Sequence, residues 1–555
     1  MLKVADFFCG AGGFSEGFRQ IGFELAYALD SWEPAIQTVR LYHPRCKFEL
    51  ADIRNLDSSR KIEESVPDVD VIIGSPPCVS FSYSNRAGKA DKSLGLELIL
   101  AFLRIVACKK KKGSLKYWIM ENVPNAAKYV KDEYTWKELG LSGQGPSLQI
   151  PQKNVFNAMN FGVPQARERF FAGDYPVPNK THTKETHLTV RDVFDALGNP
   201  LSSCSDGWVT DPNYPVRIRT SELTDHFYDT RIEEWKWKPS KRLKKDHGYM
   251  GRMAFPDKLD RPSRTVIAKG VCASREAMIF GAEKGDDGQH KSYRLPTIRE
   301  IACFMSFPIT YQFNGNTESS KRRLVGNAVA CKQARALAEA ILRKEGVDAP
   351  NFIAPPKAKP SKDLTGFLRK MTPPPRRRKN ARFVMHIPHL KEGGFRVELT
   401  NRHSDFNTSK VVWSVELHKG IGKGSRRWEC GFKTARRLFI ASRTDTKLEL
   451  QSKPDYASRV DTFKEELKER FETRLPDAET FQQIYTRRVK TEHIEPDEAL
   501  GIIRNLIDKY FPKHIFKSSK IKNGNIPRLK PEEFPVRIVA GLFACEYVAL
   551  SVNNS

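Results

Sequence analysis

The strongest constraint on the fold lies at the start of the chain. Lys3–Phe8 reads as a buried strand, and Gly10-Ala11-Gly12-Gly13 follows it almost at once. A helix then begins, with Phe14, Phe18 and Ile21 spaced to share one side. A strand that turns through glycines straight into a helix is the opening unit of a doubly wound α/β sheet. The alternation continues with strand Glu24–Leu29, helix Pro34–Leu41, a third strand before Asp52, then Val69–Ile73, Tyr117–Met120 and Arg169–Ala172. Such sheets bind their ligands at the carboxyl ends of the strands.

The alternation predicts a first catalytic segment over residues 1–178. Residues 179–260 break into short, polar, aromatic-containing pieces without a clean period, and strand and helix signals return over 261–346. Residues 347–380 read as an extended, unpacked linker. They hold Ala354-Pro355-Pro356-Lys357-Ala358-Lys359-Pro360 and Pro373-Pro374-Pro375-Arg376-Arg377-Arg378-Lys379. Residues 381–555 regain hydrophobic runs and are expected to form a separate basic domain of α+β type. No internal repeat is visible.

The net charge of +27 points to a polyanionic partner, nucleic acid ahead of an anionic membrane surface. Residues 351–555 hold 41 Lys and Arg against 24 Asp and Glu, a net of +17 and well over half of the excess. No run of about 18 apolar residues reads as a membrane span, and the N-terminus, with Asp6 beside a Gly-rich turn, does not read as a secretory signal. The 10 cysteines are scattered, with no Cys-x-x-Cys pair and no Cys/His cluster at zinc spacing. No metal is therefore expected, and a cytoplasmic location fits.

Several residues suggest chemistry. Glycines after the first strand let the backbone approach a ligand, Asp30 at the end of the second strand can bind ribose hydroxyls, and Asp52-Ile53 would flank an adenine. Together they favour a nucleoside cofactor over a plain tight turn. Gly74-Ser75-Pro76-Pro77-Cys78 places a cysteine on a stiffened loop at a strand end, where cations or N–H groups can activate it; a lone cysteine is otherwise an ordinary core residue. Glu121-Asn122-Val123 and Gln165-Ala166-Arg167-Glu168-Arg169 flank two further strands, and taken alone could be a solvated cap and a surface charge pair.

In this order, the motifs resemble those of the bacterial cytosine-5 DNA methyltransferases. Tyr293-Arg294-Leu295-Pro296-Thr297-Ile298-Arg299-Glu300 with Phe307-Pro308 resembles the family's ninth motif, and Gly326-Asn327-Ala328-Val329 its tenth; the match runs over about residues 3–345. The resemblance implies a Rossmann-like catalytic domain, with residues 179–260 as an inserted target-recognition region. S-adenosyl-L-methionine is implied as cofactor, held by Phe8, Gly10, Gly12, Asp30, Trp32, Asp52, Ile53, Pro77 and Asn327. Cys78 would attack carbon 6 of a flipped cytosine, Glu121 would hydrogen-bond or protonate ring nitrogen 3, and Arg167 and Arg169 would fix the base and the catalytic loop. Departures from the family pattern are Val79 after the cysteine in place of Gln, Ala330 in place of Pro, and Cys303-Phe304-Met305-Ser306 before Phe307-Pro308.

Double-stranded DNA is the implied partner, with Arg242, Lys244, Lys245 and Arg252 as candidate DNA-binding residues. A cognate restriction endonuclease is the expected functional partner, and a monomer the expected state. An RNA cytosine-5 methyltransferase is disfavoured because its Cys-Phe-Thr signature is missing from the recognition region; Cys303-Phe304-Met305 lies in the ninth motif instead. A catalytically silent DNA-binding regulator is disfavoured because Cys78 and Glu121 are both present. Residues 381–555 fit an additional DNA-binding module, with Arg426-Arg427-Trp428 and Lys433-Thr434-Ala435-Arg436-Arg437 as candidate phosphate contacts. A fused endonuclease (Glu416 with Lys419, or Glu449 with Lys453) and a protein-interaction domain stay open.

Overall fold

The computed structural model describes residues 1–78, 81, 91–202, 206–246, 253–270, 272–284, 290–359, 362–408, 410–420, 426–430, 455–489, 491–516, 520–522 and 533–555. They fall into two units, Met1–Lys241 with Ala254–Met371, and Arg242–Met253 with Thr372–Ser555. Residues 242–253, expected within the recognition region, thus belong with the C-terminal unit.

In the first unit, β1 (Lys3–Phe7), β2 (Glu24–Asp30), β3 (Lys47–Leu50), β4 (Val71–Gly74) and β5 (Tyr117–Asn122) pair in parallel. β6 (Gln152–Asn157) and β7 (Glu168–Asp174) complete a seven-stranded sheet in the order β3-β2-β1-β4-β5-β7-β6, with β7 antiparallel to both neighbours. The order reverses between β1 and β4, which makes their carboxyl ends the switch point of the sheet. β1 beyond Lys3 and all of β4 are buried because helices cover both faces of the sheet. On one side lie α1 (Gly13–Arg19), α2 (Glu33–Arg40) and α7 (Cys331–Lys344), contributing Phe14, Phe18, Ile36, Val39, Leu337 and Ile341. On the other lie α3 (Ser59–Ser65) and α4 (Ser93–Lys112), contributing Ile62, Ile99, Phe102 and Leu103.

The lysine run that ends α4 is not simply solvated. Lys109 is buried and donates to the Val66 carbonyl and Asp68, Lys112 pairs with Asp68 at 2.6 Å, and Lys110 pairs with Asp174. Cations at a helix C-terminus also offset its exposed carbonyls. Two elements left unmarked in the sequence are α4 itself and the edge strand β6, whose Gln-Lys-Asn-Val-Phe-Asn composition reads as loop until β7 pairs with it.

Between β7 and α7 the chain forms small elements around a shared core that includes Val193, Ile218, Ile298, Ile301 and Phe304. Buried ion pairs set its turns. Arg294 makes a bidentate pair with Glu300 at 2.8 Å, while Glu300 also accepts from the Thr297 N–H to cap α5 (Ile298–Phe304). Lys321, on α6 (Glu318–Asn327), pairs with Asp225, both fully buried.

The described residues of 347–380 carry no helix or strand, but they are not unpacked. The Ile353 N–H donates to the Gln20 carbonyl at 2.9 Å and the Leu364 N–H to Asp225 at 3.1 Å within the first unit. Beyond Met371, the Arg377 N–H donates to the Thr486 carbonyl within the second. Proline removes its own donor but leaves its neighbours free to bond.

The second unit has its own core. β8 (Val384–His386), β9 (Phe395–Thr400), β10 (Ser414–Lys419) and β11 (Arg426–Cys430) form an antiparallel sheet in chain order. Val397, Leu399, Val415 and Leu417 pack into one cluster with α8 (Tyr456–Phe471), α9 (Ala478–Tyr485), α10 (Pro496–Tyr510) and α11 (Val536–Asn554). α11 corrects the sequence reading of apolar runs, since it is long and apolar enough to cross a membrane. It is 78% buried inside the unit, and its Arg537 pairs with Glu392 at 2.9 Å, so it is used as a core helix.

α1 and α7 meet at Gly17, where a Cβ would lie 2.5 Å from the Cys331 carbonyl oxygen and 2.5 Å from the Ala334 methyl. Gly17→Ala should therefore destabilise the first unit by about 1–3 kcal/mol. Urea denaturation of both proteins checks this; an unchanged midpoint for the transition of the first unit would contradict the packing.

Candidate active site

The site is built on the loops that leave β1 and β4. After β1 the backbone turns left-handed at Phe8 (φ 57°), Gly10 (φ 55°) and Gly12 (φ 78°). The two glycines serve different ends. A Cβ on Gly10 would meet only the Phe8 carbonyl, at 3.9 Å, so the space beside it is open to a ligand. A Cβ on Gly12 would lie 2.8 Å from the Tyr311 hydroxyl and 3.0 Å from Val39, so Gly12 serves helix packing. Asp6, buried at the end of β1, accepts from the Ser15 hydroxyl at 2.5 Å; burial pushes its carboxyl up to about 7.

Asp30 braces the turn. One carboxylate oxygen accepts the Gly10 N–H at 2.9 Å and the other the Trp32 N–H at 2.8 Å, leaving further lone pairs for a ligand hydroxyl. Trp32 is half-buried, with the Arg323 guanidinium 4.3 Å over its ring. Asn327, one turn after Arg323 on α6, is exposed. Asp52 is ion-paired to Arg54 at 2.6 Å, which holds its carboxyl below the usual range, and Ile53 is buried beside it. The open space at Gly10, the braced Asp30 and the half-covered indole fit a nucleoside ligand.

The second loop is tied to the first. The Ser75 N–H donates to the Phe7 carbonyl and the Ser75 hydroxyl to the Phe8 carbonyl, both at 3.2 Å. Asn122 at the end of β5 donates to the Pro76 carbonyl at 3.1 Å, and Asn125 to the Phe81 carbonyl at 3.0 Å. Asn122 belongs to the Glu121-Asn122-Val123 motif, whereas Asn125 does not stand out in the sequence. The loop beyond Cys78, residues 79–80 and 82–90, lies outside the described residues.

Cys78, Glu121, Arg167 and Arg169 form one electrostatic group. Burial pushes the Cys78 thiol up, Arg169 and then Arg167 pull it down, and Glu121 adds to the rise. Burial likewise raises Glu121, against the pull of Arg169, whose Nε lies 2.9 Å from its carboxylate. Arg167 has a different position from its neighbour. Its guanidinium is buried and donates to the carbonyls of Val266 (3.1 Å), Gly326 (3.2 Å) and Ala328 (2.9 Å), which makes it a brace for the tenth motif. Gln165 works alongside it, donating to the Phe304 carbonyl at 3.0 Å and accepting the Val266 N–H at 2.9 Å.

The DNA-binding candidates are divided by the structure. Lys244, on the helix Glu234–Asp246, is fully buried and does not present its ammonium to solvent. Arg242 contacts the Met385 sulfur, and Lys245 is half-buried. Arg252, Lys433, Arg436, Arg437, Glu449 and Lys453 lie outside the described residues. Glu416 and Lys419 stand three residues apart on β10 and so point to opposite faces, which removes them as a nuclease pair. A feature with more exposure lies in the recognition slot, where Arg217 and Arg219 lie 4.9 and 4.3 Å from the ring of Trp208, itself half-exposed.

A doubly wound sheet with a glycine turn on one side of its switch point and an arginine-flanked cysteine on the other defines an α/β enzyme class that works across that crevice. Residues 2–343 match the model of the C-5 cytosine-specific DNA methylases, and the chain belongs to that family. It is thereby a DNA (cytosine-5-)-methyltransferase. It is 30% identical over 343 residues to the type II methyltransferase M.HgiDI of Herpetosiphon aurantiacus, covering 61% of this chain and 94% of that protein. To the type II methyltransferase M.DdeI of Desulfomicrobium norvegicum it is 29% identical, covering 61% and 88%. The solved S. pombe Dnmt2 methyltransferase aligns with 62% of this chain and 99% of its own at 16% identity, with a TM-score of 0.39.

The charge arrangement predicts opposite shifts in thiol reactivity. Arg169→Gln removes the cation that favours the Cys78 thiolate, so the pH midpoint of Cys78 alkylation should rise. Glu121→Gln removes an anion that opposes it, so the midpoint should fall. Iodoacetamide labelling across a pH series, read at the Cys78 peptide by mass spectrometry, measures both; shifts of the same sign would contradict this electrostatic account.

Proposed function

We propose that the enzyme flips a cytosine out of duplex DNA at a specific sequence and methylates its carbon 5 through a covalent Cys78 adduct. The observation that carries this reading is the Cys78–Glu121–Arg169 group at the switch point, where burial raises both a thiol and a carboxyl and the Arg169 cation draws both down. Carbon 5 of cytosine is a weak nucleophile. Bonding of the Cys78 sulfur to carbon 6 puts electron density on carbon 5 and divides one hard step into easier ones. Glu121, held up by burial and aimed by Arg169, hydrogen-bonds or protonates ring nitrogen 3 as the thiolate adds. After methylation of carbon 5, its proton leaves to a base, the sulfur–carbon 6 bond breaks, and Cys78 returns as thiolate. The target carbons cannot be reached inside a stacked duplex, so the base must be flipped.

S-adenosylmethionine supplies the methyl group as a sulfonium electrophile. Phe8, the backbone at Gly10, Asp30, Trp32, Asp52, Ile53, Pro77 and Asn327 are the residues that would hold it. One chain carries the whole set, which supports action as a monomer. Arg217 and Arg219 around Trp208 supply a candidate DNA contact beside Arg242, Lys245 and Arg252. The type II names of the relatives support a protective role beside a restriction endonuclease.

Transfer of labelled methyl from S-adenosylmethionine to unmethylated DNA, with sequencing of the product, tests the reading. Wild type should mark carbon 5 of cytosine in one short sequence, Cys78→Ala should abolish transfer, and Glu121→Gln should slow it by about 10²–10⁴-fold. DNA carrying 5-fluorocytosine at the target should become covalently linked to wild type and not to Cys78→Ala, because fluorine cannot leave as a proton does. Full transfer by Cys78→Ala would overturn the mechanism.

The charge of the C-terminal third gives a further expectation. Truncation after Met371 should leave methylation intact but weaken DNA binding. The salt dependence should become shallower by roughly 0.9 in log–log slope for each phosphate the second unit had neutralised. Fluorescence anisotropy at several salt concentrations measures the slope; an unchanged slope would rule out phosphate gripping by the second unit.

A further inference from the structure

The second unit buries a group of imidazoles and carboxylates that the methylation chemistry does not use. Residues 386, 398 and 416 are direct cross-strand neighbours on β8, β9 and β10, and 418 lies two places further along β10, so all four share one face of the sheet. Glu398 and Glu416 are buried. The side chains of His418 and His386 are 12% and 27% exposed.

Of the imidazole–carboxylate contacts within this group, only that between His418 and Glu416 is a hydrogen bond. The His386 Nε2 lies 3.5 Å and the His418 Nε2 3.6 Å from the same oxygen, Glu398 Oε2, and the His418 Nε2 lies 3.2 Å from Glu416 Oε2. Charge-assisted N–H···O bonds run to roughly 2.7–2.9 Å. Ligand atoms around a tetrahedral ion with bonds of about 2.1 Å stand about 3.4 Å apart. Glu398, Glu416 and His418 thus each offer a ligand atom within 4.8 Å of the others, and the His386 Nε2 lies beside the same Glu398 oxygen. His386 makes no side-chain hydrogen bond among the described residues, and its buried Nδ1 is without a partner.

We infer that His386, Glu398, Glu416 and His418 form a divalent transition-metal site of the zinc or manganese type. Two imidazole nitrogens and two carboxylate oxygens are the donor set that such ions take. Arg402 binds Glu398 through Oε1 at 3.0 Å, leaving Oε2 facing both histidines. It also holds both oxygens of Glu416, at 3.0 and 2.7 Å, so it supplies positive charge in the metal-free form and must yield part of Glu416 to the ion.

The full chain, stripped with EDTA and desalted, is titrated with ZnCl2 and separately with MnCl2. Bound metal is counted by elemental analysis after gel filtration, and melting is followed in parallel. The expected result is about one equivalent of one of the two ions per chain and a raised melting temperature of the second unit. Glu398→Gln and His418→Ala should each weaken binding at least about tenfold, while Cys78→Ala keeps the metal. His386→Ala, at the most exposed of the four, guards against loss by misfolding and should weaken binding while circular dichroism stays unchanged. Cobalt(II) should give d–d bands without thiolate charge transfer. Absence of bound metal in wild type, or retention of one equivalent in all three variants, overturns the site.

Discussion

The buried guanidinium of Arg167 holds together two stretches of chain about a hundred and sixty residues apart. It arises where β7 begins and donates to carbonyls of Val266, Gly326 and Ala328, while Gln165 two residues earlier joins Val266 to Phe304. Without these two side chains the returning segment would leave several buried carbonyls without donors, each costing about 1–3 kcal/mol. Burial and the neighbouring Arg169 lower the guanidinium to about 9, partly offset by Glu121, so it stays charged at neutral pH. The tenth-motif backbone is held at the site through this brace, which is why Arg167, just before β7, and Arg169, within it, do different work.

Arg169 answers a second problem. The Glu121 carboxyl is buried, and burial alone drives it toward its neutral form. A thiol in the same place is pushed up as well. One cation serves both groups, favouring the thiolate and the carboxylate while its Nε fixes the direction of Glu121. The group is therefore coupled: a change in charge at any member moves the others.

How much of this was legible in the sequence depends on how far apart the interacting residues lie. The parallel strands, the glycine turn and the Pro77-Cys78 loop are local patterns, and the structure places them where the alternation puts them. Strand β6 was hidden because an edge strand is half solvated and reads as loop. The two roles of Gly10 and Gly12 were not legible either, since only the packing of Tyr311 and Val39 distinguishes them. Lys244 reads as one more solvated lysine in a basic run, yet the helix turns it inward. Proline density suggested an unpacked linker, but unpacking is decided by what the intervening N–H groups find, which composition does not record.

The second unit carries the same lesson to its charges. Sequence scanning for metal ligands relies on short spacings, and 386, 398, 416 and 418 span more than thirty residues. Antiparallel register, not spacing, brings them to one face, while residues 397, 399, 415 and 417 turn the other face into core. Two glutamates directly opposite each other repel, and burial makes that repulsion harder to screen. A sheet that keeps such a pair needs positive charge to stand between them. Arg402 supplies one unit, bridging both carboxylates, and Arg427, with its Nε 3.6 Å from the Glu416 carboxylate, supplies a second. A divalent ion at the Glu398 oxygen that both histidines face would take over part of that role, using the nitrogen atoms already turned toward it.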